Sequence, residues 1–405
     1  MIWLKRIGKV FAGLVALVAL WLAVAALVYS PVYVGRVLAW GESDQGDYLN
    51  NFPLSSLSAS PTVFSFRSSL DEERVRSVFE SILGVSDFDT FLAGSATQAL
   101  IVIQDDKILY EGYFNGAARD SMVTSFSVAK SFGSALIGIA IDEGFIDGVD
   151  DSVADYLPEL AERDDRFELI TIRDLLRMAA GLDYQELRWA LFNGDDPLTT
   201  YYPNQREIAL DNTQIVDPPA LYFQYNKYHP QLLGMILERT TGMSVSEYTQ
   251  TRLWEPLGME FGGAWALDSE GSGFEKMEAG LNARAIDYAK LGRLFLEDGN
   301  WNGVQVISSE WVKESTSLDL VTHNPDYYAD EFGQEIYADG SGYYQYMWYG
   351  RLRDGQQPDF FAEGDHGQII YVSPAHRLII VRNGTAYGIP GRQWINTFYR
   401  AATDL

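Results

Sequence analysis

The chain contains no cysteine. That absence removes structural disulfides, Cys-ligated zinc, iron–sulfur clusters and thiol catalysis. It is compatible with a reducing or an oxidising compartment. Histidine is scarce as well. His229, His323, His366 and His376 are the only four, and no two stand at a metal-ligand spacing such as H-x-x-x-H. The acidic residues form no D-x-[DN]-x-[DN]-G loop, so neither a zinc nor a calcium site is expected. Basic side chains number 30 against 56 acidic ones, a formal charge of −26 over 405 residues. The deficit is uneven. Residues 1–40 hold Lys5, Arg6, Lys9 and Arg36 and no acid, and the remainder carries 26 basic and 56 acidic groups, or −30. A body this acidic repels phosphate backbones, so no nucleic-acid partner is expected.

What is present argues for a folded chain. The apolar fraction is 47% and the aromatic fraction 14%, both too high for disorder. The length beyond the N-terminal segment suits one large domain or two intimate lobes. Lys5, Arg6 and Lys9 precede an apolar run from Val10 to Tyr29. Twenty residues of helix span about 30 Å, the hydrocarbon thickness of a bilayer. The basic flank stays on the cytoplasmic side. Residues 1–34 therefore read as a single-pass anchor in the cytoplasmic (inner) membrane, with the rest of the chain on the periplasmic or extracellular side. A cleaved signal peptide is the competing reading, with Ala23-Val24-Ala25 as its A-x-A site. Its apolar core is usually about 7–15 residues, shorter than this run. Residues 35–70, rich in serine and weak in periodicity, read as a linker, and 71–405 as the main domain.

Leu70–Leu83 has helical spacing. Ala99–Phe114 reads as two β-rich runs around Asp105-Asp106, a hairpin. From Ser127 to about Met178 the pattern is helical, and helical patterns return at Pro230–Thr241, Ser244–Leu253, Ala283–Leu296 and Ser309–Glu314. Strand-like runs reappear at Tyr343–Tyr349, Gly367–Val372 and Leu378–Arg382, before a last helix at about Arg392–Ala402. Strands at both ends with helices between imply an α+β fold. Its antiparallel central sheet comes from both chain ends and is flanked by helices in three layers. A mostly helical region is inserted at about 140–340.

Ser127-Val128-Ala129-Lys130 is the only S-x-x-K in the chain. At i, i+3 on a helix the two side chains share a face. A serine hydroxyl is a poor nucleophile until a base takes its proton. Lysine serves as that base only where desolvation or a nearby cation lowers its pKa. The sequence from Ser131 to Ile141 carries no charge, which describes a buried helix. A serine at a helix N-terminus also brings backbone N–H groups to an oxyanion. Chance occurrence of S-x-x-K is the bland alternative, and the buried context weighs against it.

The chain resembles the serine β-lactamase and penicillin-recognising superfamily, in its class C-like branch of esterases, D-amino-acid amidases, D,D-peptidases and 6-aminohexanoate-dimer hydrolases. The phrases that carry the resemblance run in order. They include Ser127–Phe132, Ile141–Gly144, Val153–Pro158, Thr171–Leu176, Met178–Leu182, Leu233-Gly234, Thr241-Gly242, Trp254–Met259 and Trp301–Gly303. The resemblance implies the fold just described. It also implies a second motif, Y-x-N, at Tyr225-Asn226-Lys227. There Tyr225 passes a proton to the leaving group, and Lys227 stands where the family has asparagine. Lys227 either adds charge beside Tyr225 or points away while Asn226 fills in. A third motif, K-T-G or H-x-G, falls on Gly364–Ile370 with its register open by one residue. His366 or Asp365 takes the lysine-like position, Gly367 allows close backbone approach, and the Gln368 N–H joins the Ser127 N–H as oxyanion donor. Tyr184 leads into an aromatic-rich loop, with Trp189, Phe192, Tyr201 and Tyr202, that either selects substrate or packs.

The expectation is thus an anchored serine hydrolase acting on a small ester, amide or peptide through a Ser127 acyl-enzyme, with no cofactor. Departures at Lys227 and His366 favour esterase or amidase over β-lactamase or D,D-peptidase activity. The rival class is a non-catalytic domain of the same fold that binds cell-wall peptides.

Overall fold

The computed structural model describes residues 2–40, 47–186, 192–318, 340–390 and 393–405. Trp189 and His323 lie outside these. The strands are β1 Leu54–Leu57, β2 Arg67–Ser68, β3 Thr97–Gln104, β4 Lys107–Tyr113, β5 Val123–Thr124, β6 Gly263–Ala266 and β7 Leu281–Ala283. A small hairpin, β8 Asn300–Trp301 and β9 Val304–Gln305, follows. Then come β10 Gly342–Gln345, β11 Trp348–Arg351, β12 Asp359–Gly364, β13 Gln368–Ser373 and β14 Leu378–Gly384.

The main sheet has the order β10-β11-β12-β13-β14-β3-β4-β2. Both chain ends build it, as the sequence implies. All its ladders are antiparallel except the short β2–β4 pair. The β3–β4 turn is Asp105-Asp106, with φ of 50° and 59°. Two residues at positive φ match the right-handed twist of a two-residue hairpin, and short acidic side chains tolerate them. The helix Ala285–Leu296 packs on one face of the sheet. On the other lie Glu72–Leu83 and Gln393–Asp404, joined by Phe79–Phe398 and Tyr371–Phe398 ring contacts at 6.2 and 5.8 Å. This is the three-layer α+β architecture. A second antiparallel sheet, β1-β6-β7-β5, pairs two strands of the inserted region, β6 and β7, with β1 and β5 from the N-terminal part, and β5 delivers the chain to Ser127.

Three expectations need correction. The 35–70 stretch is not a linker where it is described: β1 pairs with β6, β2 pairs with β4, and Tyr48, Phe52, Leu57 and Phe66 are buried. Isolated apolar residues among serines carry that burial, so no periodicity announces it. The N-terminal helix ends at Val28, and Pro31 opens a second helix to Trp40, a natural place for a residue without an N–H. The Tyr343–Tyr349 run is a hairpin, β10–β11, turning at Tyr346 and Met347 with φ of 41° and 65°. Strand β12 escapes sequence reading because Asp359 and Glu363 interrupt its apolar pattern. Asp359 is fully buried, bound by Arg353 and Ser373 at 2.7 Å each.

Candidate active site

Strand β5 leads into a tight turn anchored by the Ser125 N–H donating to Leu281 O at 2.8 Å. Phe126 then takes φ of +46°. A non-glycine residue there costs on the order of 1–3 kcal/mol and persists only where its surroundings enforce it. Here the ring is held between Tyr48 and His366, at 5.5 and 5.0 Å between centroids. The strained turn presents Ser127, and the helix Ala129–Asp142 follows, buried from Ala129 to Ala140.

One turn along, Lys130 Nζ lies 2.8 Å from Ser127 Oγ and donates to Glu278 O at 2.5 Å. It also sits 5.0 Å from the centre of the Tyr225 ring. Burial lowers the Lys130 pKa to about 7, helped by the Lys227 cation and opposed by Glu278, Asp365 and Asp196. Ser127, Lys130 and Tyr225 therefore converge. Tyr225 itself packs edge-on against Phe223 and Tyr344.

Lys227 turns to a wall formed by Phe192–Tyr202. Its ammonium pairs with Asp196 and donates to Thr200 Oγ1 at 3.0 Å. Burial lowers its pKa, but Asp196 outweighs that and raises it. Lys227 thus stays charged, and its field reaches Lys130. Tyr184 contacts the same wall, with its hydroxyl 3.3 Å from Asp196 Oδ1 and 3.2 Å from Thr199 Oγ1. Burial holds its phenol well above the usual pKa. Behind these groups Lys276 pairs with the fully buried Glu278 at 2.6 Å and donates to Thr200 O at 2.9 Å.

Asn226 does not fill in for Lys227. It is buried, donates to Leu182 O at 3.3 Å and accepts from the Tyr228 N–H at 2.8 Å, so it orders the start of the helix Tyr228–Thr241. The third motif falls at a different register. A Cβ built on Gly364 would stand 2.3 Å from Ser125 O and 2.9 Å from Ser127 N. Gly364, at the end of β12, is therefore the glycine against the nucleophile. Counting back two, the lysine-like position is Ala362, not Asp365 or His366. Residues 365–367, Gly367 among them, turn the chain back into β13, which begins at Gln368 one strand farther away. Gly367 (φ +75°) instead makes room for Arg382, whose guanidinium donates to Gly367 O at 2.7 Å. The Gln368 side chain is held by Gly384 O at 2.6 Å and Asn383 at 2.9 Å. His366 contributes its ring to Phe126.

Sequence reasoning missed Asp196, Thr200, Glu278 and Arg382. Gly364 stands at the head of the motif already singled out, but sequence reasoning assigns the close approach to Gly367 instead. The acids look like any others in an acidic chain. Arg382 reads as the last residue of an apolar strand, yet it is fully buried. Its guanidinium also reaches Ser95 O at 3.0 Å, Ala386 O at 3.0 Å and the Thr97 hydroxyl at 3.1 Å.

A serine beside a buried lysine, on an α+β scaffold of this topology, is an arrangement suited to a serine hydrolase. The chain belongs to the beta-lactamase family, whose model matches residues 86–388. Over 322 residues it is 27% identical to the 6-aminohexanoate-dimer hydrolase of Paenarthrobacter ureafaciens, covering 76% of this chain and 77% of that one. A D-aminopeptidase of Brucella anthropi is 28% identical over 174 residues, or 40% of this chain and 31% of that longer protein. Among solved structures, a Bacillus anthracis protein described as a candidate 6-aminohexanoate-dimer hydrolase superposes with a TM-score of 0.70 at 23% identity, covering 88% of this chain and 92% of that one. A class C β-lactamase in complex with cefoxitin gives 0.60 at 14% identity, covering 83% and 100%. These two show the shared fold.

Proposed function

We propose that the protein hydrolyses an ester or amide through an acyl-enzyme on Ser127. The observation that carries this reading is the 2.8 Å contact between Ser127 Oγ and a buried Lys130 whose pKa is lowered to about 7. A neutral lysine takes the serine proton as Oγ attacks the carbonyl carbon. The oxyanion is met by the Ser127 N–H and by the backbone N–H of Asp365, the residue after Gly364. Tyr225, over which Lys130 sits, relays the proton to the departing alcohol or amine. Water then enters, gives its proton back along the same path, and frees the acid and Ser127 Oγ. Lys227 acts electrostatically: its charge, kept by Asp196, favours a neutral Lys130.

Ester or amide hydrolysis is favoured over β-lactam or D,D-peptide hydrolysis by β12. The family's lysine position is Ala362, and Asp365 stands beside the turn, so no cation there greets a substrate carboxylate. The N-terminal helix serves as the membrane anchor in this reading, since residues Arg6–Val28 are long and apolar enough to cross a bilayer. Side-by-side turnover of p-nitrophenyl butyrate and nitrocefin, with Ser127→Ala as control, tests the proposal. Ester turnover lost in the variant supports it. Nitrocefin as the better substrate overturns the ester or amide assignment. Ester turnover that survives Ser127→Ala overturns the mechanism.

A further inference from the structure

We propose that the substrate is an amphiphile taken from the bilayer, an ester or amide carrying a long hydrocarbon chain, which reaches Ser127 along the wall Phe192–Tyr202. The inference rests on the serine-hydrolase reading and names its substrate class.

It begins with what the N-terminal helix touches. Its apolar side chains Val10, Phe11, Leu14 and Leu17 are exposed, a band that suits hydrocarbon. Yet the helix is not a loose tether. Trp21 lies 5.0 Å from the Phe192 ring, and Ala25 is buried. Beyond the break at Ser30, Tyr33 donates to Phe192 O at 2.9 Å and packs 5.7 Å from Tyr202. Arg36 donates to Tyr201 O at 3.0 Å and to Asp268 O at 2.7 Å. Both N-terminal helices therefore grip one segment of the catalytic domain. Tyr29 and Tyr33, just past the end of the apolar span Arg6–Val28, are of the residue type that collects at the edge of the hydrocarbon, and Trp21 stands about two turns deeper. With the span in a bilayer, Phe192, touched by both Trp21 and Tyr33, lies between that edge and the outer part of the hydrocarbon.

The opposite side of the same segment belongs to the active site. Asp196 and Thr200 hold Lys227, whose charge acts on Lys130. The helix Asp195–Tyr201 is one helix thick, and a helix with side chains is about 10–12 Å across. The catalytic cations thus stand about one helix diameter from the membrane-facing groups. A flexible tether would serve a soluble substrate as well as this double grip does. A fixed wall between bilayer and nucleophile serves a substrate whose chain stays in the lipid while its carbonyl reaches Ser127. The chemistry of the pocket agrees: β12 offers no cation for a carboxylate, and the nearby Lys227 is already paired with Asp196.

The test uses the full chain reconstituted in phosphatidylcholine vesicles, with p-nitrophenyl butyrate and p-nitrophenyl laurate as probes. The expected result is a kcat/KM for laurate at least 10-fold above that for butyrate, with a rate that follows laurate's mole fraction in the bilayer. Tyr33→Phe, which removes the bond to Phe192 O, is expected to cut laurate turnover several-fold and leave butyrate within 2-fold. Preference for butyrate, or a laurate rate indifferent to mole fraction, overturns the proposal and leaves the hydrolase reading standing. So does a Tyr33→Phe loss equal for both esters. No turnover of either ester overturns the hydrolase reading and this inference together.

Discussion

Gly364→Ala places a methyl group where the end of β12 meets the nucleophile turn. The new Cβ would lie 2.3 Å from Ser125 O, whereas ordinary van der Waals contact begins near 3.4 Å. The overlap is about 1 Å, and neither partner is a flexible side chain. Either β12 or the Ser125–Ser127 turn must move by that amount. A misplacement of about 1 Å at a reacting group costs about 100-fold in rate. Overpacking a tight contact costs about 1–3 kcal/mol of stability. The assay is kcat/KM on an activated ester together with thermal unfolding. A fall of about two orders of magnitude in a folded variant is expected. Gly367→Ala is the contrast, since its methyl would meet the guanidinium of Arg382 at 2.2 Å. It should lower the unfolding temperature more than it lowers kcat. A Gly364→Ala enzyme within 2-fold of wild type refutes the reasoning. So does a Gly367→Ala enzyme that alone loses catalysis.

The rate should fall as pH drops through about 7, because protonated Lys130 cannot accept the serine proton; the kcat/KM profile measures this limb. Lys227→Met removes the neighbouring cation and leaves Asp196 unpaired, and both changes favour protonated Lys130, so the limb should move to higher pH. The folded-state pKa of Lys130 lies below its ordinary value of 10.5. Between about pH 7 and 10.5 the unfolded chain therefore binds the extra proton, and stability from this group rises with pH across that window. Buried Lys276 and Lys290 add slopes of the same sign, so chemical denaturation should show a steeper rise with pH in the wild type than in Lys130→Met. Arg382→Met strands several buried carbonyls, each worth about 1–3 kcal/mol when left unpaired; calorimetry should record a marked loss of stability, with activity falling as the 365–367 turn loosens.

The parts legible in the sequence were those with a local signature. Ser127 and Lys130 share a helix face in a segment without charge, and the β3–β4 hairpin announces itself by its Asp-Asp turn. The sheet built from both ends followed from the order of elements. Other features depend on tertiary contact. Gly364 and Gly367 stand three residues apart, and only the return of β13 on β12 shows which one faces Ser127. Asp196 is one of 56 acids until the fold brings it to Lys227. Tyr48, Phe52 and Leu57 look like loop residues because their partners lie far along the chain. The grip of Tyr33 and Arg36 on residues 192–201 spans more than 150 positions, beyond the reach of any local pattern.

The central claim is that Ser127 forms the acyl-enzyme. It is tested most directly by acid-quenching the full chain during turnover of p-nitrophenyl butyrate and mapping the peptides by mass spectrometry. The account predicts a butyryl adduct on Ser127 and on no other residue, absent from Ser127→Ala. An adduct on another side chain, or ester turnover without any adduct on Ser127, would contradict it.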